Sequence, residues 1–347
     1  MNTEFKLENL IRTNLKTLTP YSSARDEFSG TSSIFLDANE NPFENGVNRY
    51  PDPQQWELKD RLAEIKNISA KEMILGNGSD EIIDLLMRAF CQPSEDKVIF
   101  CKPSYGMYKV AAQINDLRIA ELELDTNFQP NVDLILQNSD AKLLFLCSPN
   151  NPTGNLIDKE ILLRILNEFN GLVVLDEAYI DFASNVSMVN ELNQYPNLVI
   201  LQTLSKAWGM AGIRLGIGLA SNEIVGILNK IKPPYNVNSL TQEKALELLK
   251  DTNKNRQCID LLLQEKDAMT TKLRSLLFVK EVFPSQANFI LIRVDNADKL
   301  YNFLIEKGIV IRNRTKAALL ENSLRISIGT PEENQILFTF LREFQKL

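Results

Sequence analysis

The chain has no histidine among its 347 residues. That absence excludes every arrangement that moves a proton through an imidazole, such as Ser-His-Asp and Cys-His catalysis, and it makes a zinc site improbable. No metal is expected. Proton transfer is left to lysine, tyrosine and carboxylates. Cysteine is scarce, and Cys91, Cys101, Cys147 and Cys258 form no CxxC pair. Isolated cysteines in apolar context read as reduced, buried thiols of a cytoplasmic protein. No apolar run reaches the ~18 residues of a membrane span. The start, Met1-Asn2-Thr3-Glu4-Phe5-Lys6, mixes charges without an apolar stretch, so no secretory leader is expected. Basic charge is not in excess either. The 38 Lys and Arg stand against 45 Asp and Glu, a net charge of −7, which speaks against a nucleic-acid partner.

What is present is length and alternation. A chain of 347 residues can bury a large core and should split into two subdomains. Apolar runs at 98–101, 142–148, 172–176, 198–203 and 214–220 alternate with helical stretches, the pattern of an α/β fold with a mainly parallel sheet. Lys232-Pro233-Pro234-Tyr235-Asn236-Val237-Asn238 breaks the alternation. A long helical region, roughly 239–277, should then carry the chain out of the large domain. Residues 288–293, 310–312 and 324–327 read as strands of a smaller α+β domain.

The richest stretch is Thr203-Leu204-Ser205-Lys206-Ala207-Trp208-Gly209-Met210-Ala211-Gly212-Ile213-Arg214-Leu215-Gly216. A lysine follows a strand-like run, is flanked by hydroxyls, and has an arginine eight residues later. An amine that must react with an aldehyde needs partial desolvation and a nearby cation to lower its pKa. Thr203, Ser205 and Arg214 are groups that would hold a phosphate.

Two upstream runs end in polar groups. Leu143-Leu144-Phe145-Leu146-Cys147-Ser148 runs into Pro149-Asn150-Asn151-Pro152-Thr153-Gly154, and Gly171-Leu172-Val173-Val174-Leu175 runs into Asp176-Glu177-Ala178-Tyr179. Continuous apolar runs of this kind are buried parallel strands, and ligands of open sheets sit at their carboxyl ends. Asn151 and Asp176 would therefore face one crevice, with Tyr179 beside them. Gly76-Asn77-Gly78-Ser79-Asp80-Glu81 precedes a helical pattern, so backbone N–H groups at a helix start could face an anion. Taken singly, each stretch has a plainer reading: a surface lysine, an Asn-Pro turn, an acidic turn, a helix capped by Ser79 or Asp80.

Asn151, Asp176, Tyr179, Lys206 and Arg214, in this order and context, resemble the fold-type I aminotransferases of class II that use pyridoxal 5′-phosphate. The resemblance runs from Leu36 to Gly329. It implies a large domain whose mainly parallel seven-stranded sheet lies between helices, at 30–250, and a smaller domain from 1–29 and 251–347. It implies that Lys206 bonds to the cofactor aldehyde, that Asp176 pairs with the pyridine nitrogen, and that Asn151 and Tyr179 hold the 3′ oxygen. Arg214, Ser205, Thr203 and the Gly78-Ser79-Asp80 turn would bind the cofactor phosphate, and Tyr105 would stack on the ring.

Leu18-Thr19-Pro20-Tyr21, Leu36-Asp37-Ala38-Asn39-Glu40-Asn41-Pro42 and Asn48-Arg49-Tyr50-Pro51-Asp52-Pro53 are similar to the branch of that family acting on histidinol phosphate. That likeness implies exchange of an amino group between L-glutamate and 2-oxoglutarate on one side and histidinol phosphate on the other. It implies a homodimer with shared active sites, in which Tyr50 reaches the partner's cofactor phosphate. Tyr21 and Asn39 would contribute to the substrate pocket. Arg325 would take the α-carboxylate of glutamate, and Arg312 the substrate phosphate or the distal glutamate carboxylate. Arg314 reads as a solvated strand-end arginine. A broader aromatic aminotransferase and a threonine-phosphate decarboxylase on the same fold stay open.

Overall fold

The computed structural model describes residues 5–21 and 34–347. Of the expected small-domain segment 1–29, residues 1–4 and 22–29 lie outside the described residues. The helices are α1 (Thr13–Lys16), α2 (Trp56–Lys66), α3 (Ser79–Phe90), α4 (Met107–Ile114), α5 (Val132–Leu136), α6 (Lys159–Glu168), α7 (Asn222–Ile231), α8 (Ser239–Leu248), α9 (Thr252–Arg274), α10 (Ala297–Glu306) and α11 (Pro331–Phe344). The main sheet is built from β1 (Met73–Asn77), β2 (Lys97–Lys102), β3 (Arg118–Glu123), β4 (Ala141–Cys147), β5 (Leu172–Asp176), β6 (Leu198–Thr203) and β7 (Leu215–Leu219).

The order across this sheet is β1-β7-β6-β5-β4-β2-β3. Only β7 is reversed; it pairs antiparallel with both β1 and β6, while β2, β3, β4, β5 and β6 run parallel. The apolar runs explain this placement. β5, β6 and β7 are buried at every position, as a sheet covered on both faces requires. Side chains alternate between two cores. Leu144, Leu146, Val173 and Leu175 pack with α2, α5, α6 and α8, whereas Leu143, Phe145, Leu172 and Val174 pack with α3, α4 and α7. α3 buries Ile82, Ile83, Leu85, Leu86, Met87, Ala89 and Phe90 against the sheet. Truncating a fully buried leucine there, such as Leu86, would cost about 2–5 kcal/mol.

The second sheet is antiparallel, ordered β10-β11-β9-β8, with β8 (Val279–Val282), β9 (Phe289–Val294), β10 (Arg312–Asn313) and β11 (Ser323–Ser327). Its core is formed with α9, α10 and α11.

The structure departs from the sequence reading in several places. β1, β3 and β8 are not marked by long apolar runs. β3 is half-exposed along its middle, so its sequence, Arg-Ile-Ala-Glu-Leu-Glu, carries no core signature. β10 begins at Arg312, where the sequence pattern places the end of a strand at 310–312. The helical region 239–277 is two helices. Asp251 caps α9 by accepting from Lys254 N, which ends α8's run at a local turn. The N-terminal segment does not join the small domain over its described part. Leu10 and Leu15 are buried in the core of the large domain, Arg12 N donates to Ala89 O at 3.1 Å, and Lys142 Nζ reaches Leu10 O. These leucines find an apolar groove beside the end of α3, which the sequence alone did not reveal. All four cysteines are free, but Cys258 is exposed on α9, not buried.

Candidate active site

The carboxyl ends of β4, β5 and β6 open into a cavity of about 580 Å³, a volume typical of small-molecule sites. Lys206, Asp176, Tyr179, Asn151, Thr203, Ser205, Arg214, Gly78, Ser79, Asp80 and Tyr105 all line it, with Arg312, Arg314 and Arg325 from the small domain. Tyr50 and Asn39 do not. They border a separate cavity of about 560 Å³, together with Tyr235. The rings of Tyr50 and Tyr235 stack at 4.4 Å. Tyr21 is 73% exposed and lines neither.

One end of the main cavity is an anion cradle. Gly78, at φ +73, is the residue before α3, and no side chain caps that helix. Ser79 and Asp80 are thus the first helical residues rather than caps. The first N–H groups of α3 keep their capacity to bind a ligand. Gly78 N donates to Arg214 O at 2.7 Å. The two segments touch so closely that a Cβ on Gly216 would lie 2.2 Å from Gly78 C and Ser79 N. Glycine at 216 is therefore required for the cradle to form. Arg214 is itself in the left-handed region, at φ +56. Thr203 Oγ1 accepts from Ser205 N at 3.1 Å, which sets both hydroxyls beside Arg214.

The middle of the cavity holds Asp176 and Lys206. Asp176 is buried, and its oxygens accept from Tyr108 Oη at 2.6 Å and from Ala178 N at 3.0 Å. Burial pushes this carboxyl from 3.8 up to about 6, against the pull of those hydrogen bonds and of Lys206. No cation forms an ion pair with it among the described residues. The Lys206 amine is held below its ordinary value, first by burial, then by Arg325 and Arg214. Its side chain remains reachable from the cavity, with Nζ 5.6 Å from the centre of the Tyr179 ring.

Asn151, Tyr179 and Arg325 form a chain between the two domains. Asn151 Nδ2 donates to Tyr179 Oη at 3.4 Å, and Asn151 Oδ1 accepts from Arg325 Nη1. Tyr179 is buried edge-on against Phe289, and burial raises its phenol above the ordinary value. Tyr105, half-buried on the cavity wall, donates to Asp80 Oδ1 at 3.0 Å.

Two residues escaped the sequence reading. Tyr108 looks like one more apolar position of an amphipathic helix. The only signal is that a fully buried tyrosine needs a partner for its hydroxyl. Arg314, read as a solvated strand-end residue, is half-buried in the cavity. Its backbone N donates to Ser323 O at 2.9 Å, which turns the chain inward just past β10, while Arg312 is the more exposed of the two.

Residues 35–341 match the family described as class I and II aminotransferases. The histidinol-phosphate aminotransferase of Flavobacterium johnsoniae is 55% identical over 347 residues, covering 99% of each chain. The crystal structure of histidinol-phosphate aminotransferase from Clostridium acetobutylicum superimposes with a TM-score of 0.80 at 29% identity, covering 86% of this chain and 91% of that one. The Sinorhizobium meliloti protein of the same name, crystallised with pyridoxal-5′-phosphate, gives a TM-score of 0.77 at 22% identity, covering 86% and 83%. At that identity it bears on the fold alone.

Proposed function

We infer how the site works from one premise: this chain belongs to the family of class I and II aminotransferases. It exchanges an amino group between L-histidinol phosphate and 2-oxoglutarate, yielding imidazole acetol phosphate and L-glutamate, with pyridoxal 5′-phosphate as cofactor. The bound cofactor would supply a carbonyl that takes up the amino group and a ring that spreads the charge developing at the substrate Cα.

The residues present fit that group. The uncapped start of α3, Ser79, Ser205, Thr203 and Arg214 suit a phosphate dianion. Gly78 and Gly216 let the backbone approach it. Asp176, a desolvated carboxylate facing the cavity, suits a protonated ring nitrogen. Asn151 and Tyr179 suit a ring oxygen, and Tyr105 a flat ring face. Lys206 is the amine for the aldehyde. The observation that carries the reading is one cavity that holds both Lys206 and the buried Asp176 carboxylate, which has no ion-pair partner among the described residues.

Lys206, with its lowered pKa, has an amine available to remove the proton at the substrate Cα and to deliver it to the carbon on the other side of the transferred nitrogen, the one the cofactor's carbonyl would supply. Asp176 keeps the ring nitrogen protonated while this occurs. Arg325, held by Asn151, is placed to grip the α-carboxylate of L-glutamate. Histidinol phosphate has no carboxylate; its phosphate hangs from Cα through a methylene and an oxygen. Arg312 is the candidate to meet that phosphate, or the distal carboxylate of glutamate.

Tyr50 acts on the site of a second copy in this reading, and Tyr21 and Asn39 contribute to the substrate pocket. A homodimer is supported by exposed Val47, Tyr50 and Leu240, which border one cavity, since exposed apolar surface gathered in one place marks interaction sites. The division into a large domain, 30–250, and a C-terminal small domain from 251 is supported by the presence of two separate sheets. No helix among the described residues is long and apolar enough to cross a membrane. Four free thiols support a reducing compartment, the cytoplasm.

The test offers cofactor-loaded protein L-glutamate with imidazole acetol phosphate, phenylpyruvate or 2-oxoisocaproate, following 2-oxoglutarate. The reading expects kcat/KM for the phosphorylated acceptor to exceed the others by about 10³-fold or more, because a site built for a polar group rejects analogues lacking it. Comparable values would make this a general aromatic aminotransferase. Release of CO2 from O-phosphothreonine would make it a decarboxylase.

A further inference from the structure

We propose that Trp208, Asp181 and Lys66 form a clamp outside the main cavity that positions the Lys206 amine beside Tyr179. The inference rests on the reading of Lys206 as the amine that meets the cofactor aldehyde.

None of the three lines the cavity that holds Lys206. Asp181 and Trp208 border a different one, of about 630 Å³, at the start of α9. They are positioning residues, acting through the segments they join. Trp208 follows Lys206 by two residues in the turn after β6. That turn is closed by Gly209 N, which donates to Lys206 O at 3.1 Å, and by Met210 N, which donates to Leu204 O at 3.0 Å. Asp181 follows Tyr179 by two residues, in a short helical turn where Phe182 N donates to Tyr179 O at 3.1 Å. Lys66 is the last residue of α2.

One carboxylate ties these three segments together. Trp208 Nε1 donates to Asp181 Oδ2 at 3.0 Å, and Lys66 Nζ donates to Asp181 Oδ1 at 2.9 Å. The Lys66 amine also lies 5.9 Å from the centre of the Trp208 ring. Among the described residues, no other side chain of the turn 204–210 hydrogen-bonds to the segment 176–183. An ion pair on open surface would contribute little. Here the Lys66 and Asp181 side chains are only 10% and 19% exposed. A partly buried indole also needs a partner for its N–H, and a charged acceptor makes the stronger bond.

The clamp bears on the reacting amine through packing. Trp208 lies against the cluster of Tyr179, Phe182, Ala207 and Phe289. Lys206 Nζ stands 5.6 Å from the Tyr179 ring centre. The charged groups that act on this amine are Asp176, Asp80, Arg214 and Arg325, and none of them belongs to the clamp. Breaking the clamp would therefore move the amine without changing the charges around it. Misplacing a reacting group by about 1 Å costs up to about 100-fold in rate.

The experiment begins with cofactor-loaded enzyme. Trp208→Phe should lower kcat about 10-fold in both half-reactions and leave KM for L-glutamate within about twofold. The visible band of the loaded enzyme, titrated against pH, should shift its midpoint, which a loss of stability alone does not produce. Asp181→Asn should do the same. The double variant should be no worse than the poorer single one, because both remove one hydrogen bond. Unchanged kcat and midpoint, or losses that add in full in the double variant, overturn the proposal. Asp181→Asn leaves Lys66 without its carboxylate. If it does not fold, Trp208→Phe decides, since it keeps an aromatic ring and deletes the N–H. A measurement on cofactor-free protein separates the clamp from the cofactor reading. At about pH 10, acetylation of Lys206 by acetic anhydride, read by peptide mass, should quicken about threefold or more in Trp208→Phe as the amine loses its fixed seat. Equal rates overturn the clamp even where Lys206 carries the cofactor. A quickened rate in a protein that never forms the visible band upholds the clamp and sinks the functional reading alone.

Discussion

Tyr108 donates its hydroxyl proton to Oδ2 of Asp176 across 2.6 Å. Both side chains are buried, and Tyr108 is further fixed by stacking on Phe145 at 5.2 Å. This hydrogen bond opposes the burial that pushes the Asp176 carboxyl up, so it keeps the carboxylate ionised toward the cavity.

Replacing Tyr108 by phenylalanine should therefore weaken catalysis without removing any group that touches the substrate. A hydrogen bond to a charged acceptor is worth about 1.5–3 kcal/mol, so kcat should fall about 10- to 100-fold. The cofactor's absorbance, titrated against pH, should shift as its ring nitrogen loses protonation. Wild-type kcat and an unmoved titration would remove Tyr108 from this role.

Asp176→Asn should lose at least about 100-fold in kcat, because a neutral amide cannot hold a protonated ring nitrogen. The same change has a stability consequence of known sign. In the cofactor-free protein Asp176 titrates near 6 instead of 3.8. The folded state then holds its proton more tightly than the unfolded state, and the stability this contributes is full below about pH 4 and is lost as pH rises through about 6. Cofactor-free Asp176→Asn should thus gain on wild type between pH 4 and 7, by up to about 3 kcal/mol. Urea unfolding across that range checks it; a difference that does not vary with pH would contradict the burial argument.

Gly216→Ala tests the cradle. The added methyl would meet Gly78 C and Ser79 N at 2.2 Å, and backbone cannot yield as a flexible side chain would. A cost of about 1–3 kcal/mol in stability is expected, with cofactor affinity reduced at least about tenfold. Equal affinity in an equilibrium titration would show that the Gly78–Gly216 approach does not matter for the phosphate.

The proposed homodimer, with Tyr50 reaching the partner's site, predicts complementation. Lys206→Ala and Tyr50→Ala homodimers should each be weak. A mixed dimer restores one site that has both groups, so mixing after mild dissociation should regain up to half of the wild-type activity expected for that dimer population. No recovery despite subunit exchange would place Tyr50 outside the partner's site.

The sequence carried the site better than its surroundings. Asn151 and Asp176 were legible because continuous apolar runs ending in a polar residue identify the carboxyl end of a buried parallel strand. Gly78 was legible as a turn, but which residue capped α3 was not, since Ser79 and Asp80 are equally good caps in sequence and only the backbone angles place Gly78 there. Tyr108 was hidden because an aromatic at helical spacing is ordinarily core, and its hydroxyl's partner comes from a strand 68 residues away. Arg314 was misread because one hydrogen bond to Ser323 O, formed only when β10 pairs with β11, turns it inward. β3 was missed because an edge strand needs no apolar run. Leu10 and Leu15 gave no sign of which domain would receive them.

In the proposed function Lys206 is the amine that bonds to the cofactor, in the cavity it shares with Asp176 and the arginines. Borohydride reduction of the cofactor-loaded protein, followed by peptide mass mapping, tests it directly. The added mass is expected on the peptide containing Lys206, and none in Lys206→Ala. The same label on another lysine, or its persistence in Lys206→Ala, would contradict it.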